Sequence, residues 1–560
     1  MTKFLTVLTA VLLLVAGNAD DVRAQGPQYV YRIRLTDKAG SPPLSNPAAF
    51  LSPRALDRRN RFGIGIDDAD RPVSKAYIDT VLQISGGRLH TTSRWRNEIT
   101  LLLPDNSSLP VLLAKPWIVD AEEIGYYGGG LHLKTGPNQK WQTETVVSSV
   151  VALKTTGSAA YYGDAWTQNH LVNGDALHDA GFTGAGKLIA VIDEGFLGTN
   201  THPGFAALRS SGRLVDTFNF ILRSASNLYS GGAHGTNVLS AIAGFQPFTY
   251  VGAAPEASIA LYTTENTASE QVAELDQLIA AMERADSMGA DIVSVSLGYN
   301  MFDYPAGADF SFSQLDGKTT SVAQAANLAT AKGMLMVLTA GNEGSGSWQK
   351  ILTPGDADSA LTVGSVASNG IPAANSGYGP NAAGRIKPDV CAMGQGAFVY
   401  SPAGGTFSGS GTSFATPQIA GFAACLWQAY PNKKPGQIRD AIVRSAHRYF
   451  NPETQLGYGI PNFAGALQVL GVQRETANLT KEVSAFYHAA SGRILLSGNF
   501  SGPATVALYE LSGRKISGNR IEFSGNHSAA WNPNTLLPPG MYLLQIQTEA
   551  GQGVLKVAVF

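Results

Sequence analysis

The chain has 560 residues, 44% of them hydrophobic and 15% charged, with a formal net charge of -2. That length excludes a single ordinary domain and leads to an expectation of two to four units, while the near-neutral charge argues against a nucleic-acid partner, which would require a basic face. Two cysteines, Cys391 and Cys425, exclude a disulfide framework; their apolar neighbours point to buried free thiols, with one disulfide as the alternative.

At the N-terminus, Lys3 precedes the apolar run Phe4 to Ala16, and small residues follow at Gly17, Ala19 and Ala24. This pattern predicts a secretory signal peptide over 1–24, too short for a membrane span. No later stretch offers 18 unbroken apolar residues, so the mature protein is expected to be soluble and exported, without a membrane span.

Residues 25–155 read as a small α+β domain and linker. Tyr29 to Leu35 alternates as a strand does, Ser52 to Gly63 forms a helix opened by Ser52 with Pro53 in its first turn, Ser74 to Leu82 is a second helix, and Glu98 to Leu103 a second strand. The glycines at 128–130 and Gly157-Ser158 mark the linker.

From 156 to 473 short apolar strands alternate with helices. Leu188 to Ile192 ends at Asp193, Asp291 to Leu297 follows the helical stretch Glu270 to Met288, and Met334 to Leu338 follows the helix Ser321 to Lys332. Strands this apolar between helices predict an α/β fold with a mostly parallel sheet covered on both faces. Residues 478–560 instead show alternating strands at Thr505 to Tyr509, Met541 to Gln547 and Val554 to Phe560, which predict a small β-sandwich.

Amide hydrolysis by nucleophilic catalysis needs a hydroxyl, a base, an anion that orients the base, and donors for the oxyanion. Asp193 closes a buried strand, where a turn or cap role is the plain alternative. His234, in Ala233-His234-Gly235-Thr236, precedes a helical stretch and could equally cap or face solvent. Asn342, in Ala340-Gly341-Asn342, would pass alone as a turn residue. Ser413 is the sharpest signal: Ser408-Gly409-Ser410-Gly411-Thr412-Ser413 delivers a serine to a helix start, with Pro417 placed in the first turn. Free N–H groups and the positive dipole end there suit a developing oxyanion; a mere N-cap is the alternative.

Together, Gly411-Thr412-Ser413-x-Ala415-Thr416-Pro417, Ala340-Gly341-Asn342 and the chain order Asp, His, Asn, Ser resemble the subtilisin-like (subtilase) serine proteases over about 300 residues. Val251 to Ala257, Ser294 to Gly298 and Lys387 to Val390 are similar to supporting family segments. The resemblance implies a secreted serine endopeptidase acting through Asp193, His234 and Ser413, with Asn342 in the oxyanion hole. It also implies that Ser296, Leu297, Gly298, Ala340 and Gly341 line the cleft and that polypeptides are the substrates. No cofactor is required for catalysis, and a structural calcium, common in the family, has no assigned ligands.

Two positions depart from the family pattern: Glu194 stands where a small residue is usual, and Asn237 where a second histidine is usual. Both are expected to alter pH dependence or local packing, and His202 is read as structural. An α/β-hydrolase is disfavoured because the serine comes last and lacks Gly-x-Ser-x-Gly; the other alternative is an inactive binding scaffold. Phe50 to Arg59, Asp70 to Ser74 and Ser93 to Asn97 resemble the propeptide region of exported Bacteroidetes subtilases, a permanent accessory domain being the alternative, with a solvated face as the alternative for the arginine-rich helix. Leu508 to Arg514, Leu537 to Leu544 and Val554 to Val559 resemble a type IX secretion sorting domain, which would make the secretion machinery a partner and the extracellular space or cell surface the destination. A carbohydrate-binding or adhesion sandwich is the alternative there.

Overall fold

The computed structural model describes residues 27–128, 158–229, 231–473, 483–488, 491–498, 502–523, 528–548 and 551–559. The signal-peptide segment and most of the glycine-rich linker lie outside the described residues.

The N-terminal region is a four-stranded antiparallel sheet, β2-β3-β1-β4, built from β1 (Gln28–Leu35), β2 (Arg88–Ser93), β3 (Glu98–Leu103) and β4 (Ile118–Tyr127), with helices α1 (Pro53–Phe62) and α2 (Lys75–Ser85). α1 starts and stops where the sequence says, and α2 starts there but runs past the expected end at Leu82 to Ser85. Ser52 Oγ accepts from Ala55 N–H to cap α1, Ser74 caps α2, and Gly63 and Gly86 close them in the left-handed conformation that a residue with a Cβ resists. Ile33, Ile99 and Leu101, with Val81 of α2, form the core between the sheet and α2.

The middle region holds seven parallel strands in the order β11-β10-β9-β8-β5-β7-β6. In chain order these are β5 (Leu188–Asp193), β6 (Leu214–Asn219), β7 (Ser258–Thr263), β8 (Ile292–Val295), β9 (Leu335–Thr339), β10 (Leu361–Val366) and β11 (Val390–Met393). The helices that matter here are α3 (His234–Ala243), α4 (Val272–Met288), α5 (Ser321–Ala331) and α6 (Thr412–Ala429). Side chains alternate across a strand. Thus Ile189 and Val191 pack with α3 and α6 on one face, while Ala190 and Ile192 pack with α4 and α5 on the other. Both faces of β5 are buried, which explains why it is apolar up to Asp193.

Chain order fixes where a site can form. After β5 the chain builds β6 and β7 on one side and then crosses to β8, β9, β10 and β11 on the other. The crevice beyond the carboxyl ends of β5 and β8 is therefore the switch point at which open α/β sheets bind ligands.

The N-terminal sheet lies against α4 and joins it through buried charge. Arg32 grips Asp276 with two nitrogens at 2.6 and 2.8 Å. Glu283 accepts from Ser93 Oγ (2.5 Å) and from the main-chain N–H of Arg94 and Trp95. Asp286, fully buried, receives Arg58, Arg59 (2.9 Å) and Arg94 (2.6 Å), and Arg59 continues to Asp70 (2.8 Å), which also holds Lys332 (2.9 Å). A solvated face is thereby ruled out for Arg58 and Arg59, both buried. Their partner lies more than 220 residues away, too far for local pattern to reveal.

The C-terminal region pairs Val483–His488, Arg493–Gly498 and Ser528–Trp531 in one antiparallel sheet. Lys515–Phe523, Gly502–Glu510, Gly540–Thr548 and Gly551–Val559 form a second. The two share a core of Ile494, Leu496, Val506, Leu508, Trp531, Leu544 and Ile546. Cys391 and Cys425 are buried free thiols, and among the described residues no helix is long and apolar enough to cross a membrane.

Candidate active site

Asp193 is the last residue of β5 and fully buried; His234 opens α3. His234 Nδ1 lies 2.7 Å from Asp193 Oδ1, which also accepts from Glu194 N–H at 2.8 Å. A carboxylate at that distance makes Nδ1 the donor and leaves Nε2 as the basic nitrogen. Burial opposes charging the ring, but Asp193, by charge and hydrogen bond, and then Glu194 outweigh it, so the His234 pKa is raised.

Ser413 is the second residue of α6, not its cap; Gly411 occupies the cap position. The N-cap reading is therefore excluded, since the Ser413 hydroxyl donates to Ser296 O at 3.4 Å. Pro417 is the sixth helical residue, inside α6 and beyond the first turn in which the motif was read. The helix tolerates it for a local reason. A residue at 417 would normally donate its N–H to the Ser413 carbonyl, and that carbonyl instead accepts from Ser296 Oγ at 3.0 Å. Neighbouring carbonyls are served likewise, Thr412 O by Thr416 Oγ1 (2.9 Å) and Phe414 O by Gln418 Nε2 (2.7 Å).

Asn342 follows β9, and its Oδ1 accepts from both the N–H and the hydroxyl of Thr412, each at 2.9 Å. Thr412 Oγ1 in turn accepts from Thr339 Oγ1 at 2.6 Å. With the carboxamide oxygen engaged, the amide nitrogen is the end that can face a ligand, beside the N-terminus of α6. Gly341 makes this turn feasible: its φ is +91° and a Cβ there would lie 2.5 Å from Leu352 Cγ. Gly341→Ala is expected to lose about 1–3 kcal/mol of stability, measured as a lowered thermal midpoint, and to displace Asn342.

The remaining sequence-selected residues are close by. Ser296 and Leu297 are buried just past β8, Gly298 packs on Leu352, and Ala340 N–H pairs with Val363 O. His202 stacks on Tyr400 at 4.2 Å and its Nδ1 accepts from Gly204 N–H, so its role is structural. Asn237 donates to Tyr400 O at 2.6 Å, a packing role. The loop from Tyr299 to Asp316, unplaced by sequence, reaches the N-terminal region, where Tyr304 donates to Glu123.

Three features escaped sequence reading: the exchange of hydroxyl and carbonyl between Ser296 and Ser413, the fixing of Asn342 by Thr412, and the carboxylate of Glu194, which accepts from His234 N–H at 3.1 Å. Only the last left a trace, as a departure from the family pattern. Glu265, Glu270 and Glu274, at the end of β7 and the start of α4, bring carboxylate oxygens within 4.8 Å of one another and could hold a metal ion. Oxygen donors of this kind suit a hard cation such as calcium.

Comparison with known proteins finds family relatives of this chain. The Subtilase family matches residues 184–460, and the Peptidase S8 propeptide domain of Bacteroidota matches 30–124. Alkaline elastase YaB of Bacillus sp. (strain YaB) is 31% identical over 420 residues, 75% of this chain and 94% of that one. Subtilisin E of Bacillus subtilis (strain 168) is 30% identical over 301 residues, covering 53% and 70%. Among solved structures, MycP1 with its N-terminal propeptide removed is similar with a TM-score of 0.43 and 24% identity, over 54% of this chain and 96% of that one.

Proposed function

We propose, from the premise that this chain belongs to the subtilase family and is a serine-type endopeptidase, that Asp193, His234 and Ser413 are its catalytic triad. The observation that carries this reading is the 2.7 Å contact between His234 Nδ1 and Asp193 Oδ1 at the switch point of the sheet. For catalysis the Ser413 hydroxyl has to leave Ser296 O and donate to His234 Nε2 instead. Ser413 Oγ then attacks the scissile carbonyl of a polypeptide while His234 takes its proton and Asp193 stabilises the imidazolium. The oxyanion is met by Asn342 Nδ2 and the Ser413 N–H. His234 next protonates the leaving amine, and water hydrolyses the acyl-enzyme by the reverse route. The backbone at Ser296-Leu297-Gly298 and at Ala340-Gly341 receives the extended substrate.

Asn342→Ala is expected to lower kcat by about 10²–10³-fold with little change in KM, the range known for the oxyanion-hole asparagine of subtilisin. The test of the whole reading is a fluorophosphonate probe: it labels the matured enzyme, and mass spectrometry locates the adduct. A label on any residue other than Ser413, or none, ends the assignment.

The domain matched over 30–124 is the chain's own propeptide, and its docking through α4 supports a role in folding and restraint. We divide the chain into a signal peptide (1–24), propeptide domain and linker (25–155), peptidase domain (156–473) and C-terminal sandwich (478–560). The protein is exported, and the sandwich addresses it to the type IX secretion machinery. Support for the sandwich assignment is its motif resemblance together with its two antiparallel sheets. Hydrolysis needs no cofactor; any structural calcium would find its donors at Glu265, Glu270 and Glu274, and no step passes through it.

A further inference from the structure

Glu194 brings a carboxylate beside His234. It is buried, only 7% exposed, and is threaded between two glycine-lined turns. A Cβ at Gly232 would lie 2.1 Å from Glu194 Oε1 and 2.3 Å from its Cδ, and one at Gly235 would lie 2.5 Å from Gly195 O. Leu197 N–H bonds Gly232 O at 3.1 Å, which ties the two turns together. The side chain therefore has one place to go, and there its Oε1 accepts from His234 N–H at 3.1 Å while its own N–H donates to Asp193 Oδ1 at 2.8 Å. One residue thus touches the carboxylate that orients the imidazole by its main chain, and the histidine itself by its side chain.

We infer that Glu194 is a positioning residue that clamps the main chain of His234 and, as a second anion beside the imidazole, sets the pH at which proteolysis switches on. The inference rests on the assignment of His234 as the general base. Among the described residues, Asp193 from β5 and Glu194 from the following turn are charged groups that act on the ring; α6 contributes the uncharged Phe414, whose ring centroid lies 5.9 Å away. The sign follows from electrostatics. An anion beside the ring favours the imidazolium, so the neutral base appears only at higher pH. Both Asp193 and Glu194 act in that direction on His234 against the opposing effect of burial.

The test compares Glu194→Gln, which keeps an oxygen acceptor for His234 N–H but removes the charge, with Glu194→Asp, which keeps the charge. The acid limb of kcat/KM against pH is expected to move to lower pH in Glu194→Gln and to stay near that of the wild type in Glu194→Asp. Glu194→Ala, which loses the clamp as well, is expected to show the same shift together with a plateau lowered by about tenfold. Acid limbs of wild type and Glu194→Gln that superimpose would overturn the inference and leave the triad standing. The same comparison by NMR titration of the His234 ring, on full chains that also carry Ser413→Ala, does not depend on turnover. A lower midpoint with Gln sustains the inference even if hydrolysis were absent, which would instead count against the proposed function; equal midpoints reject it.

Discussion

Replacing Ser413 by alanine is expected to reduce kcat for peptide hydrolysis by about 10⁶-fold, the size of the loss when the nucleophilic serine of subtilisin is removed. The cost is this large because the remaining parts act as a unit. In the proposed mechanism, loss of the hydroxyl leaves His234 with no proton to take, and the donors of Asn342 and the α6 N-terminus with no tetrahedral intermediate to stabilise. The substitution deletes a single oxygen at a position 3% exposed and removes one hydrogen bond of 3.4 Å to Ser296 O, so folding should be nearly untouched. Two measurements check this: turnover of an extended peptide, and retention of the propeptide in the purified chain. Residual hydrolysis within tenfold of wild type would require another nucleophile.

Asp286→Asn should have the largest effect on stability. Three arginines, Arg58, Arg59 and Arg94, converge on this one carboxylate from the propeptide region, and all four groups are buried. Removing the anion leaves three buried cations with main-chain carbonyls, Asp70 on Arg59, and the more distant charges of Asp291 on Arg58 and Glu283 on Arg94. Breaking a buried pair by removing one partner costs about 3–5 kcal/mol, and here one partner serves three. The unprocessed chain carrying Ser413→Ala offers a clean background, in which Asp286→Asn should lower the thermal midpoint of the propeptide–peptidase contact. Asp120→Asn is the control: its pairing with Arg34 is at the surface, where such bridges contribute about 0–1 kcal/mol. Equal effects of the two substitutions would mean that the buried cluster does not hold the propeptide in place.

Much of this architecture could be read from residues alone, and the reasons are local. Ser52 and Gly63 announce both ends of α1, and the apolar stretch 188–192 is a strand because both faces of it are buried. The motif around Ser413 was legible because a serine delivered by glycines to a helix start has few other uses. What stayed hidden depends on distant partners. The arginines of α1 read equally as a solvated face until Asp286 is brought beside them. Pro417 reads as a first-turn residue because the sequence does not say that the helix begins at Thr412, nor that Ser296, more than a hundred residues earlier, answers the carbonyl the proline abandons. Glu194 was visible as an oddity, but its contact with His234 needed the two turns to be folded together.

That abandoned carbonyl bears on how the enzyme could be toughened. Swapping a proline out of a helix is a routine route to a straighter, sturdier rod. Here the restored main-chain N–H would contend with the Ser296 hydroxyl for a single oxygen, the carbonyl of Ser413, the proposed nucleophile. A protein engineer would thus be loosening the link between Ser296 and Ser413 while tightening the helix behind it, and the two aims could be pursued only by altering both positions in concert.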